Sequence, residues 1–137
     1  MYEYHHHTNL RVLDRITEHE SYLSRRVFQL ISHSINAHIN WNHRIESGGE
    51  VNPHEVHEIS HLRTLEKREY ERSLQILEVY PMESLVRWGK DGENSNRVIE
   101  IHTHISTHYT QHRGQILALF RATGIQPLVT DYIHYAR

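Results

Sequence analysis

Apolar residues recur at helical spacing along most of the chain, and stretches rich in Ser, Gly, Asn and Pro cut that pattern into four long segments. In the first, Tyr4, Leu10, Leu13 and Ile16 predict a helix from Tyr2 to about Glu18, with a polar turn over His19–Ser21. Ser21 or Ser24 is placed to cap a second helix running to about Glu46, where Ser47-Gly48-Gly49 stops it. Its apolar face carries Val27, Leu30, Ala37 and Trp41, widened by Phe28, Ile31 and Ile35.

Asn52-Pro53-His54-Glu55 predicts the third start: an N-cap, a proline at the first helical position and an acidic residue completing a capping box. That helix should reach about Val79, with Ile59, Leu62, Tyr70, Leu74 and Leu77 in the core and Glu66-Lys67-Arg68-Glu69 as a solvated face. Pro81 ends it. Leu85–Trp88 followed by Gly89-Lys90-Asp91-Gly92 reads as a short strand entering a turn, a small hairpin. Ser95 or Asn96 then caps a fourth helix that ends at Thr123-Gly124-Ile125, with a last helical turn over Thr130–Tyr135. Four long helices and almost no strand predict an all-α four-helix bundle, as one domain over residues 1–137, with a short hairpin or loop between the third and fourth helices.

Composition narrows what such a bundle could do. A net charge of −2 without basic or acidic tails gives no electrostatic case for nucleic acid or an anionic membrane. No apolar run approaches about 20 residues and no signal-peptide core opens the chain, so the expectation is cytoplasmic. The absence of Cys excludes disulfides, thiolate zinc sites and a nucleophilic protein thiol. Histidine is the anomaly, at 15 residues.

Three histidines, His104, His108 and His112, sit at four-residue steps on the fourth helix, and residues so spaced stack on one helix face. His108 and His112 fall in the stripe of Ile101, Ile105, Ile116 and Leu119, so the pair should point inward and could bind one metal ion. The second helix offers His33, His38 and His43, of which His33 shares the face of Leu30, Ala37 and Trp41. Three imidazoles with an open fourth position suit zinc or a similar divalent ion; hydrogen-bonded core histidines are the competing reading. His104 reads as support one turn earlier, and Gln115 could orient His112 by a hydrogen bond. Arg113 should form a structural ion pair or a dimer contact, Gly114 should allow a close helix approach, and Trp41 should be core. His57-Glu58-Ile59-Ser60-His61 is a rival, an HExxH of the metalloprotease type, which would make a metal-dependent hydrolase. In so His-rich a chain the motif also arises by chance.

Four segments together resemble one family. HSINAHINWNHRI (33–45) is similar to the second-helix signature of the DinB/YfiT-like metalloenzymes, and HISTHYTQHRGQIL (104–117) to their fourth-helix motif ending in His-Arg-Gly-Gln. EYHHHTNLRVLD (3–14), with Asn9 and Asp14, resembles the first helix, and PLVTDYIHY (127–135) the C-terminal segment. The resemblance implies a four-helix bundle, often a homodimer, with His33, His108 and His112 as ligands of a divalent ion such as zinc or nickel. It also implies a small-molecule substrate and an S-transferase reaction drawing on a low-molecular-weight thiol of the bacillithiol type. The alternative from a different class is a metal-binding or dimerisation module without catalysis. HExxH is no part of the family pattern.

Overall fold

A computed structural model describes residues Met1–Arg137 and is mostly helical. Four long helices carry it: α1 (Tyr2–Glu18), α2 (Arg25–Ile45), α3 (Ile59–Val79) and α4 (Val98–Ala122). Strands β1 (Leu85–Trp88) and β2 (Asn94–Arg97) form the hairpin before α4, and α5 (Tyr132–Tyr135) is a closing turn. The all-α bundle with an interposed hairpin is therefore the fold. No helix is long and apolar enough to cross a membrane.

Helix α2 is the hub. It packs against both α3 and α4, and α1 lies mainly on α3. The core runs through Val12, Leu13, Ile16, Val27, Ile35, Leu62, Ile76, Ile101, Ile116 and Phe120, all almost fully buried. At about 25 cal/mol per Å2 of buried apolar surface, this spine supplies most of the folding drive. The hairpin pairs Leu85 with Arg97 and Trp88 with Asn94, and seats Val86 in the core. Gly89 opens its turn at φ +87°, where a Cβ would meet Asn94 Nδ2 at 2.6 Å, so only glycine fits.

The structure corrects several sequence expectations. Helix α3 begins at Ile59 and not at Asn52–Pro53. Residues 51–57 instead form a strap whose backbone groups are taken by side chains of α2. Asn40 accepts from the Val51 N–H at 2.7 Å and donates to its C=O at 3.0 Å, and Asn36 donates to the Glu55 carbonyl at 2.9 Å. Ser32 Oγ accepts from the His57 N–H at 3.1 Å. A backbone satisfied this way has no need of helical bonds, and Asn52 caps only a local turn through the His54 N–H.

Helix α4 likewise starts later than predicted, at Val98, because Ser95 and Asn96 belong to β2. Glu100 Oε2 accepts from the Arg97 N–H at 2.7 Å and caps it. The Glu66–Glu69 run is no solvated face: Glu66 is 2% and Glu69 0% exposed. Glu66 accepts from His6 Nδ1–H at 2.8 Å, and Glu69 from Arg68 at 2.7 Å. Charge alone could not reveal the partner of Glu66, since His6 lies on a different helix.

Candidate metal centre

Three imidazoles meet where α2 crosses α4. His33, His108 and His112 place one ring nitrogen each within 4.8 Å of one another. They form the only group of three or more His, Cys, Asp or Glu side chains in the molecule placed to hold a metal ion. The four-residue step puts His108 and His112 on one face of α4, and their Nε2 atoms stand 3.1 Å apart. Two nitrogens on one tetrahedral ion, at bond lengths of about 2.0–2.1 Å, lie about 3.3 Å apart. The separation seen is close to that.

The outer nitrogens fix which atoms face inward. His33 Nδ1 lies 3.0 Å from the Pro53 carbonyl, which can only accept, so Nδ1 carries the proton and Nε2 keeps a lone pair. His112 Nδ1 is held the same way by Gln115 Oε1 at 2.6 Å. His33 Nε2 makes no hydrogen bond at all. A ligating histidine needs this arrangement, with its second nitrogen donating to a neighbour that sets tautomer and ring orientation.

The three rings are half-buried, and His33 and His108 are held in the neutral form near pH 7. Burial lowers His108 to a pKa of about 4, and the neighbouring imidazoles His112, His33 and His104 push the same way. Burial also lowers His33, opposed by its Pro53 bond and reinforced by His112, His54 and Arg26. Neutral imidazole is the metal-binding form.

The pair does not point into the core as its stripe suggested. The inward positions of α4 are taken by Ile101, Ile105, Tyr109, Arg113, Ile116 and Phe120. His108 and His112 sit on the edge of that stripe, and His112 lines a cavity of about 320 Å3 together with His33. A site at the rim is reachable by solute. His104 is exposed, with its ring 5.5 Å from that of His108 and 5.1 Å from Trp41, and it hydrogen-bonds neither. Trp41 packs edge-on against Trp88 at 5.1 Å beneath the Arg44 guanidinium, so it belongs to a half-buried aromatic cluster beside the core.

Other histidines lie elsewhere. His57 gives no support to a protease site: its Nε2–H donates to Asn36 Oδ1 at 2.7 Å, and no third donor joins it and His61. His38 is buried between Tyr109 Oη at 2.9 Å and Ser73 Oγ at 2.7 Å. His43 bonds the Gly49 carbonyl. Arg113 is neither an ion-pair partner nor a surface contact. At 5% exposure it donates to Tyr4 Oη at 3.1 Å, His5 Nδ1 at 2.9 Å and Asn9 Oδ1 at 3.4 Å. Gly114 has open space where its Cβ would be, so no close helix approach inside the chain explains it.

Sequence reasoning missed the strap. Pro53, which orients His33, and His54, which stacks on His33 at 5.5 Å and 8°, both come from residues predicted to be helical. The signal was the row of small polar residues on α2: Ser32, Asn36 and Asn40 at four-residue steps are buried, and buried amides need partners.

An all-α bundle with an inter-helix trio of imidazoles defines a class of proteins equipped to bind a divalent ion between helices. Within that class the chain belongs to the DinB family, whose model matches residues 5–137. A search of curated proteins gave no match, and neither did one of solved structures.

Proposed function

We propose that the chain binds one divalent ion, zinc or nickel, through His33, His108 and His112, and serves as a metal-dependent S-transferase with a low-molecular-weight thiol as cosubstrate. The observation that carries the metal assignment is the convergence of three imidazoles, with the outer nitrogens of His33 and His112 tied back and the inner ones left with no partner but each other. Without an ion, lone pairs from two residues face each other at 3.1 Å unless His108 donates through Nε2. A positive charge at the centre relieves that conflict. Three uncharged ligands would leave a bound ion its full +2 charge, and the chemistry it would supply is to lower the pKa of a water or thiol toward neutrality.

The chain's own residues contribute placement. Pro53 and Gln115 hold two rings in register, and α2 and α4 fix their separation. The cavity lined by His33 and His112 has room for a small molecule beside the triad. Thiol chemistry is favoured by the family resemblance and fits a chain with no Cys, since a thiolate then has to arrive with a cosubstrate.

The test is direct. Protein stripped with a chelator and reloaded should retain about one zinc or nickel per chain by elemental analysis. Loaded protein should then conjugate a chlorobimane to a small thiol faster than the stripped form does. Failure to retain metal would overturn the site. Full loading without turnover across several thiols would favour a binding module.

A further inference from the structure

The cavity beside the triad has a chemically one-sided wall. It is lined by His33 and His112 of the triad, by His54 of the strap, and by Arg26, Gln29 and Leu30 from the first two turns of α2. No Asp or Glu lines it. Its only fixed charge is the Arg26 guanidinium. Unlike Arg15, Arg44, Arg63, Arg68, Arg72 and Arg97, Arg26 has no carboxylate within ion-pair distance. It is exposed and makes no side-chain hydrogen bond.

The position of Arg26 also runs against helix electrostatics. The start of a helix carries partial positive charge and favours acidic side chains. The first turn of α2 has none, and instead holds Arg25 and Arg26. Ser24, at the N-cap, gives no side-chain hydrogen bond to the free amides. Two cations at the positive end of a 21-residue helix are a local conflict, and such conflicts concentrate at functional sites. An anion in the cavity would resolve it. It would meet the Arg26 fork and the charge of the neighbouring metal together.

We infer that this cavity is a subsite for a carboxylate on the small molecule that uses the open metal position, with Arg26 as the specificity-determining residue and Gln29 as a neutral hydrogen-bonding neighbour. The planar guanidinium matches a carboxylate through two parallel N–H donors, which a flexible point charge does not. His54, stacked on His33, adds to the lining a flat ring that carries no negative charge. The substrate class is therefore a small monoanion or dianion bearing a carboxylate, rather than a neutral or cationic molecule. This inference rests on the metal reading above.

Cobalt in place of the native ion makes the test optical, because a thiolate bound to cobalt gives a charge-transfer band in the near ultraviolet. Cobalt-loaded wild type is titrated with mercaptoacetate, 2-mercaptoethanol and cysteamine, which are close in size but anionic, neutral and cationic. The same titrations are run on Arg26→Gln and Arg25→Gln. The quantity compared is each thiol's half-saturation in variant over wild type, which cancels the thiols' different acidities.

Arg26→Gln should weaken mercaptoacetate by about tenfold, the scale of one charge-assisted hydrogen bond at a partly solvated site. It should leave 2-mercaptoethanol within about twofold, and the mercaptoacetate effect should shrink at high salt. Arg25→Gln, outside the cavity wall, should keep the wild-type pattern. Equal effects of Arg26→Gln on all three thiols would overturn the subsite, as would no effect on any, or no band with any thiol in wild type. Cobalt stoichiometry is read first: failure of wild type to load overturns the metal reading and this inference with it, whereas normal loading without discrimination overturns the subsite alone. Arg26 is exposed, and an unchanged far-ultraviolet circular dichroism spectrum confirms that the variant folds.

Discussion

Two sets of histidines occupy opposite sides of α4, and they differ in how many ring nitrogens are used. His38 spends both, on Tyr109 and Ser73, and His5 spends both, on Arg113 and Ser106. In the triad His33 spends one on Pro53 and His112 one on Gln115, His108 spends none outward, and one nitrogen of each ring lies near a common point. The fully satisfied set is the more deeply buried, with His5 2% and His38 4% exposed, while the triad is half-buried at the rim. Depth therefore does not mark a metal site in this protein. Unspent donor capacity does.

The sharpest way to break this comparison is to exchange the roles by mutation. His108→Ala should abolish retention of a divalent ion, taking about one equivalent to near none, while leaving the helical content intact; elemental analysis with circular dichroism reads both. His38→Ala should do the reverse. Metal retention should persist, but stability should fall by about 2–4 kcal/mol in urea titration, because a cavity opens and the Tyr109 and Ser73 hydroxyls lose their partner. Loss of metal from His38→Ala with unchanged stability would invert the assignment.

Acid should separate the two sets again. Burial holds His38, and burial with the Arg113 charge holds His5, at a pKa of about 3 against an ordinary 6.5. Between those values the unfolded chain binds more protons than the folded one, so stability is full above pH 6.5 and falls as pH drops toward 3. Each buried histidine should remove up to about 1.4 kcal/mol per pH unit across that window. Urea midpoints at pH 7.5 and pH 5 on metal-free protein should show the loss, and His38→Gln should flatten it.

Smaller effects probe the supports. Gln115→Leu should weaken metal affinity by about 10–100-fold with little change in stability, as measured by chelator competition. Asn40→Ala should cost about 1–3 kcal/mol, since it frees both polar groups of Val51, and should raise hydrogen exchange over residues 51–57. His57→Ala should leave metal stoichiometry unchanged; loss of the ion there would reinstate the HExxH reading.

Much of the architecture was legible in periodicity. The spans of α1 and α2 and the hairpin at Leu85–Trp88 follow from apolar spacing and turn residues, because a helix or strand must present a continuous face to the core. The spacing of His108 and His112 is likewise a property of one helix, visible without any neighbour. What failed was local capping logic at Asn52–Glu55 and at Ser95–Asn96, where side chains of α2 and the pairing of β2 with β1 took the backbone groups that a cap would have served. The burial of Glu66 and Glu69 was also hidden, since their partners His6 and Asn42 lie on other helices.

The sequence by itself determined that this is a helical bundle with a paired-histidine face on its last long helix, since both rest on residues a few positions apart on one element. The family resemblance pointed to His33 as the histidine that meets that pair and the i, i+3 step put Gln115 beside His112, whereas tertiary structure alone decided that Pro53 orients His33 and that the site opens at the rim beside Arg26. The reason is physical: an imidazole's role is set by which of its two nitrogens finds a partner, and those partners come from segments that only folding brings together.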